Sequence, residues 1–242
     1  MKQVEILYCA WNRLEFTSAT WAWMCAHTNW DLADSIVVYD DGSEDGTQEF
    51  LKDAIDSAPV KAELRIGDFR SPPAIMNHYI ATAYKGRIFA KIDNDIALPG
   101  GWLDKMLAVM NKNPDLELLG MEAGMIALQG RDGNIEKYTA EPATHIGGVG
   151  LMRAKAFKDR PQIPFRGRFG FTEWQDRYEL NSAWIRPDIT CPRLDRIPME
   201  PWVSLSETYI EKGWSRPWEK YNDKWVKPYY QWLTEDWTSG VE

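Results

Sequence analysis

The stretch Ile36 to Gly46, Ile-Val-Val-Tyr-Asp-Asp-Gly-Ser-Glu-Asp-Gly, limits what this chain can fold into more than any other. A run of β-branched and aromatic residues, suited to a buried strand, stops abruptly at two adjacent carboxylates, Asp40 and Asp41. Gly42 and Ser43 turn the backbone, and Asp45 with Gln48 three residues on predicts a helix start of the capping-box kind. In an open α/β sheet, carboxylates at the carboxyl end of a strand face the crevice where ligands bind. A calcium loop is the rival, because Asp41, Ser43, Asp45 and Gly46 imitate its beginning. Its twelfth position would be Lys52 in place of the bidentate glutamate, so that reading fails. Alone, the turn suits a solvated connection as well as a ligand site; the rest of the chain decides.

The pattern repeats. Val4 to Cys9 predicts a first strand closing on Ala10-Trp11-Asn12-Arg13, followed by a helix through about Ala26. After Ile36 to Tyr39 comes an amphipathic helix, Thr47 to Ser57, with Phe50, Leu51, Ala54 and Ile55 on one face. Lys61 to Ile66 predicts a third strand ending in Gly67-Asp68-Phe69-Arg70, and Ser71-Pro72-Pro73 starts a helix that Lys85-Gly86 ends. Arg87 to Ile92 predicts a fourth strand that stops at Asp93-Asn94-Asp95, with a helix from about Trp102 to Asn111. Short alternation of strand and helix predicts an α/β protein with a Rossmann-like, mostly parallel sheet flanked by helices. In such a sheet Asn12, the Asp40/Asp41 pair, Asp68 with Arg70, and the Asp93/Asp95 pair all lie along one edge. Turn chemistry alone does not account for that alignment, and the edge is the expected site.

The second half changes character. Leu118 to Leu128 is apolar, and Gly130-Arg131-Asp132-Gly133 predicts a hairpin turn leading to Ile135 to Tyr138. Gly147, Gly148 and Gly150 lack the third glycine of the dinucleotide fingerprint, so close approach of backbone to a ligand or another strand is the better reading. Residues 153–196 carry ten Lys/Arg against six acids, 10 − 6 = +4, either as a solvated face or as an attraction for phosphate or an anionic acceptor. From Pro198 onward the chain is rich in proline and aromatics, with Trp218, Tyr221 and Trp225 at helical spacing. Such stripes are more often packing than ligand platforms, so residues 198–242 are expected to dock on a core formed by 1–197. Within that core a half of about 1–98, which carries the strand-end carboxylates, precedes a second half of about 99–197.

Composition excludes several classes. A net charge of −8 and a pI near 5.1 make the chain a poor sequence-blind polyanion binder. Cys9, Cys25 and Cys191 have no metal-ligand spacing and suit a reducing compartment. Without a signal-peptide core or an apolar run of spanning length, a cytoplasmic protein that does not insert into membranes is expected.

The quoted residues resemble family 2 glycosyltransferases of the GT-A fold over about residues 4–185. The resemblance rests on Asn12-Arg13, on Asp40-Asp41-Gly-Ser-Glu-Asp-Gly-Thr47, on Asn77, and on Lys91-Ile-Asp-Asn-Asp95 with Pro99 and Trp102. The glycine-rich run Gly147 to Phe157 and Gly170-Phe-Thr-Glu-Trp-Gln-Asp176 complete it. It implies transfer of a sugar from a nucleoside-diphosphate sugar, a uridine diphosphate sugar first, to a hydroxyl acceptor, with Mn²⁺ or Mg²⁺ and with inversion. The cation offsets charge on the departing diphosphate and takes oxygen ligands, here Asp95 helped by Asp93. The implied donor-binding set is Ala10, Asn12, Arg13, Asp40, Asp41, Arg70, Asn77, Asp93 and Asn94, with Asp40 and Asp41 at base and ribose and Arg70 toward phosphate.

Inversion needs a base for the acceptor proton. The family usually places an acidic dipeptide there, and this chain has Gln175-Asp176, so Asp176 is the expected base with Glu173 as runner-up. Many relatives also offer a late histidine to the metal. Here that neighbourhood reads Cys191-Pro-Arg-Leu-Asp195, which leaves Asp195 or water to complete the coordination, or a weakly held metal. A small polyol or glycan is the first acceptor class, with protein or hydroxymethylated DNA as the alternatives. Two other functional classes compete: a binding module that has lost catalysis, and a two-carboxylate glycoside hydrolase. Retained Asp41, Asp95 and Asp176 speak against the first, and acids on successive strand ends against the second.

Overall fold

A computed structural model describes residues 4–69, 71–84, 88–123, 135–158, 160–163, 170–186, 190–191, 193–196 and 200–214. The first half alternates as the sequence predicts: β1 (Val4–Ala10), α1 (Leu14–His27), β2 (Ala33–Asp40), α2 (Thr47–Asp56), β3 (Lys61–Ile66), α3 (Pro72–Thr82), β4 (Ile88–Asp93) and α4 (Trp102–Lys112). Then come β5 (Leu118–Gly120), β6 (Glu122–Ala123), β7 (Thr139–Ala143), β8 (Gly150–Arg153), α5 (Gly170–Arg177), β9 (Ser182–Arg186), β10 (Thr190–Cys191) and α6 (Trp202–Glu211).

Eight strands form one mixed sheet in the order β3-β2-β1-β4-β8-β5-β9-β7. β1 runs parallel to β2 and β4, and β2 parallel to β3, so the carboxyl ends of all four lie on one edge. Antiparallel β8 follows β4 and separates this parallel half from the later strands. Each central strand is buried on both faces, and its residues alternate between two cores. Ile6, Tyr8, Ile36 and Val38 pack with α1, α2 and α4, whereas Leu7, Cys9, Val37 and Tyr39 pack with α3 and α5. A fully buried Ile or Leu here contributes about 1.5–3 kcal/mol.

Two glycines fix the junction of the halves. Gly120 pairs with Gly150 across β5 and β8, and Gly150 has φ +156°. A Cβ on Gly150 would lie 2.2 Å from the Leu119 carbonyl oxygen. Close approach of one strand to another therefore explains part of the glycine cluster.

Several local expectations change. Ser71 caps α3 through the Ala74 amide at 3.3 Å, as its sequence suggests. The capping box at Asp45 does not form, because Gln48 donates to the Ser43 carbonyl (2.8 Å) and Gly46 occupies the cap position. Asp45 instead accepts from the amides of Leu14 (2.8 Å) and Thr47 (3.2 Å), tying the starts of α1 and α2 together. Ile135–Lys137 forms a single 3₁₀ turn, and the strand begins only at Thr139. The proposed hairpin turn at 130–133 and the stripe Trp218, Tyr221, Trp225 lie outside the described residues. At the start of the C-terminal stretch, α6 packs on α1, with Phe16 5.8 Å from Trp202 and 5.0 Å from Tyr209.

Candidate active site

The turn after β1 is held in an unfavourable backbone state. Asn12 (φ +50°) and Arg13 (φ +64°) are both left-handed, which a β-carbon disfavours unless surrounding contacts fix it. The Asn12 amide donates to Ser43 Oγ (2.7 Å), and its side-chain oxygen accepts from the Glu44 amide (2.8 Å). Asn94 Nδ2 donates to the Asn12 carbonyl (2.9 Å) and to Thr17 Oγ1 (2.8 Å), and its Oδ1 accepts from Arg13 (2.7 Å). The strand ends of β1, β2 and β4 are thus bolted together. The preceding residue, Trp11, is left 41% exposed beside them.

Of the two expected nucleotide carboxylates, Asp40 is fully buried and accepts from the Ser43 amide (2.8 Å) and hydroxyl (2.5 Å). Asp40 therefore shapes the turn. Asp41 is half-buried, with Oδ1 accepting from the Phe69 amide. Ala10 is buried and its carbonyl accepts from the Asp41 amide (2.9 Å). Asn77 has a use the sequence did not suggest: its amide exchanges two hydrogen bonds with the Ile163 backbone (2.8 and 2.9 Å), anchoring residues 160–163 to α3. Arg70 lies outside the described residues.

The Asp93-Asn94-Asp95 end of β4 is surrounded by cations. Lys91, 2% exposed, pairs with Asp93. Burial works against its charge, but the Asp93 carboxylate beside it holds the ammonium above its ordinary value. Asp95, also buried, accepts from Arg13 (3.2 Å) and Arg193 (2.9 Å) through the same Oδ2. Burial raises its pKa, but Arg193 and Arg13 outweigh that and hold it at about 2. Arg193 also grips Asp195 (2.7 and 3.1 Å). There burial and the negative charge of Asp95 push the Asp195 carboxyl upward.

This donor set does not suit a divalent cation. Both carboxylates of the Asp-x-Asp pair already neutralise fixed positive charges, and an ion at Asp95 would sit against two guanidinium groups. Among the described residues no three His, Cys, Asp or Glu side chains converge as metal ligands.

α5 carries the two residues expected to supply the base, Glu173 and Asp176. Gln175 is fully buried, and its amide exchanges two hydrogen bonds with the Ile146 backbone (2.9 and 3.1 Å). This clip fixes the loop before β8. The next residue, Asp176, is half exposed, and its Oδ1 lies 3.4 Å from His145 Nδ1. Glu173, one turn earlier, is exposed. A Cβ on Gly148 would lie 3.1 Å from Lys91 Nζ and 3.9 Å from Asp93 Oδ2. Three residues, His145 to Gly148, span at most roughly 11 Å, so the His145–Asp176 contact lies near the Lys91–Asp93 end of β4. Sequence reasoning gave no role to His145, Arg193 or Lys91; the Lys91-x-Asp93 spacing, which puts both charges on one side of extended chain, was an available signal.

Part of the basic excess of residues 153–196 is paired within the fold. Arg160 pairs with Glu117 (2.7 Å), Arg186 with Glu141 (2.6 Å), and Arg153 donates to the Met110 carbonyl (2.6 Å). Arg166 and Arg168 lie outside the described residues. No described helix is long and apolar enough to cross a membrane.

No curated protein sequence matches the chain. The mannosyltransferase PcManGT of Pyrobaculum calidifontis, solved with GDP-Man and Mn²⁺, superposes with a TM-score of 0.60 at 14% identity, covering 83% of this chain and 58% of that one. S. aureus TarS 1-349 superposes at 0.57 and 15% identity, covering 80% of this chain and 60% of that one; it is also solved with UDP and with UDP-GlcNAc. At such identity the likeness is one of fold, and this chain spans less than two thirds of either. The sequence model of glycosyl transferase family 2 matches residues 6–125, which hold the bolted turns of β1, β2 and β4. The chain belongs to glycosyl transferase family 2, on the GT-A fold.

Proposed function

We propose that this chain moves a glycosyl group from a nucleoside-diphosphate sugar to a hydroxyl acceptor, with inversion. What supports the reading is the family 2 match over the strand ends that hold Asp41, Asp93 and Trp11, together with the half-exposed Asp176 beside His145, three residues before the Gly148 that lies against Lys91 and Asp93. Trp11 offers a face for the base, and Asp41 accepts from base or ribose hydroxyls. Asp176 takes the acceptor proton as the hydroxyl oxygen attacks the anomeric carbon. The bond from that carbon to the phosphate oxygen breaks, and its electron pair leaves with the diphosphate. His145 beside Asp176 positions the carboxylate. Uridine and guanosine diphosphate sugars are the first donors to try, given the ligands of the staphylococcal and archaeal relatives. A small polyol or glycan is the favoured acceptor, since Arg153, Arg160 and Arg186 already have partners in the fold. The archaeal relative's Mn²⁺ makes cation-assisted transfer, with Asp95 and Asp93 as ligands, the competing form of this reading.

Asp176→Asn is expected to slow transfer by roughly 10²–10⁴-fold while nucleotide binding stays unchanged. Kinetics and calorimetry on Asp176→Asn and Glu173→Gln test the assignment. Full turnover by the first with loss in the second would move the base to Glu173.

A further inference from the structure

The cation cluster at the end of β4 has a defined origin. Residues 193–196 are pinned to the strand end by main chain: Ile96 and Arg193 form an antiparallel bridge, and the Leu194 amide donates to the Asp95 carbonyl at 2.8 Å. Leu194 is buried, which locks that register. Backbone pairing therefore delivers the Arg193 guanidinium to Asp95. Arg13 arrives from the other side on its left-handed turn, and Lys91 rises from inside β4. Three acids, Asp93, Asp95 and Asp195, meet three cations, Lys91, Arg13 and Arg193, so the cluster sums to 3 − 3 = 0.

A divalent ion is held by carboxylates whose charge is not yet taken. Here that charge is already matched, and an added ion would bring +2 beside three fixed positive groups. With the cluster neutral, net charge favours neither a cation nor an oxyanion, and donor chemistry separates them. Guanidinium carries five N–H donors in a planar fork and bonds phosphate while still holding a carboxylate. Arg13 Nε is buried without a hydrogen-bond partner, and the Gly148 backbone lies against the Lys91 ammonium, where a ligand's charge is felt through little solvent. Such groups also need no reorganisation as charge develops on a departing diphosphate.

We infer that this chain binds its nucleoside diphosphate without a divalent cation, Arg193 with Arg13 and Lys91 supplying the positive charge at the diphosphate. The inference rests on the glycosyl-transfer reading above and concerns the same strand ends.

Calorimetry with UDP and GDP, in excess EDTA and in Mn²⁺, tests it on the intact chain. Binding in EDTA is expected within about threefold of that in Mn²⁺. Arg193→Ala is expected to weaken binding in EDTA by roughly tenfold to a hundredfold, with partial recovery in Arg193→Lys. Binding that appears only with Mn²⁺ overturns the inference and leaves the glycosyl-transfer reading standing. Absence of binding under both conditions overturns both. Wild-type affinity in Arg193→Ala removes that residue from the role. Should Arg193→Ala fail to fold, the two wild-type titrations decide the question alone.

Discussion

Replacing Gln175 by leucine isolates what its buried amide does. The two side chains are close in volume, so the change removes hydrogen bonds while leaving little cavity. In the native fold Oε1 accepts from the Ile146 amide at 2.9 Å and Nε2 donates to the Ile146 carbonyl at 3.1 Å. Ile146 is fully buried, so water cannot replace either partner. Each orphaned backbone group costs about 1–3 kcal/mol, giving about 2–6 kcal/mol for Gln175→Leu, against a total stability of about 5–15 kcal/mol for a typical domain. Gln175→Glu adds a pH signature. Only a protonated acid donates to the Ile146 carbonyl, so the folded-state pKa of the introduced carboxyl would be raised above the unfolded value of about 4.3. Its stabilising contribution is therefore fully present below that value and lost as pH rises through the folded pKa. Urea denaturation of the three proteins at pH 5 and pH 8 measures both effects. A loss below about 1 kcal/mol in Gln175→Leu, or a Gln175→Glu variant no less stable at pH 8 than at pH 5 relative to the parent, would refute the clip.

Gly150→Ala is expected to lose at least about 2 kcal/mol in denaturant, because its Cβ would meet the Leu119 carbonyl at 2.2 Å on a backbone with φ +156°. Acid titration followed by circular dichroism is expected to show Asp95 at work. Its pKa is held at about 2 against 3.8, so its stabilisation, on the order of 2 kcal/mol, is present above about pH 4 and lost as pH falls toward 2. Asp95→Asn should flatten that part of the acid profile. Trp11→Ala should weaken nucleoside diphosphate binding by about 1–3 kcal/mol in calorimetry if its exposed ring carries the base, and leave stability nearly unchanged.

The parallel half of the fold was legible because its signals are local. Asp40 and Ser43, or Ser71 and Ala74, sit three residues apart, and turn chemistry at that range is written in adjacent letters. What escaped depends on distant partners. Arg193 reaches Asp95 across 98 residues, Asn77 reaches Ile163 across 86, and Gln175 reaches Ile146 across 29. Asp40 shows the limit from the other side. Residue type and position mark both members of the Asp40-Asp41 pair as site carboxylates, yet only burial separates Asp40, which closes the turn, from the partly exposed Asp41. The charge excess of residues 153–196 is hard to weigh from sequence for the same reason, since Glu117 and Glu141, which absorb part of it, lie outside that window.

Product analysis after incubation with a panel of nucleoside-diphosphate sugars and hydroxyl acceptors tests the central claim most directly. Release of nucleoside diphosphate, matched by an acceptor heavier by one glycosyl unit and suppressed in Asp176→Asn, is the result that claim predicts. Failure to bind or turn over any of these donors, with or without a divalent cation, would contradict it.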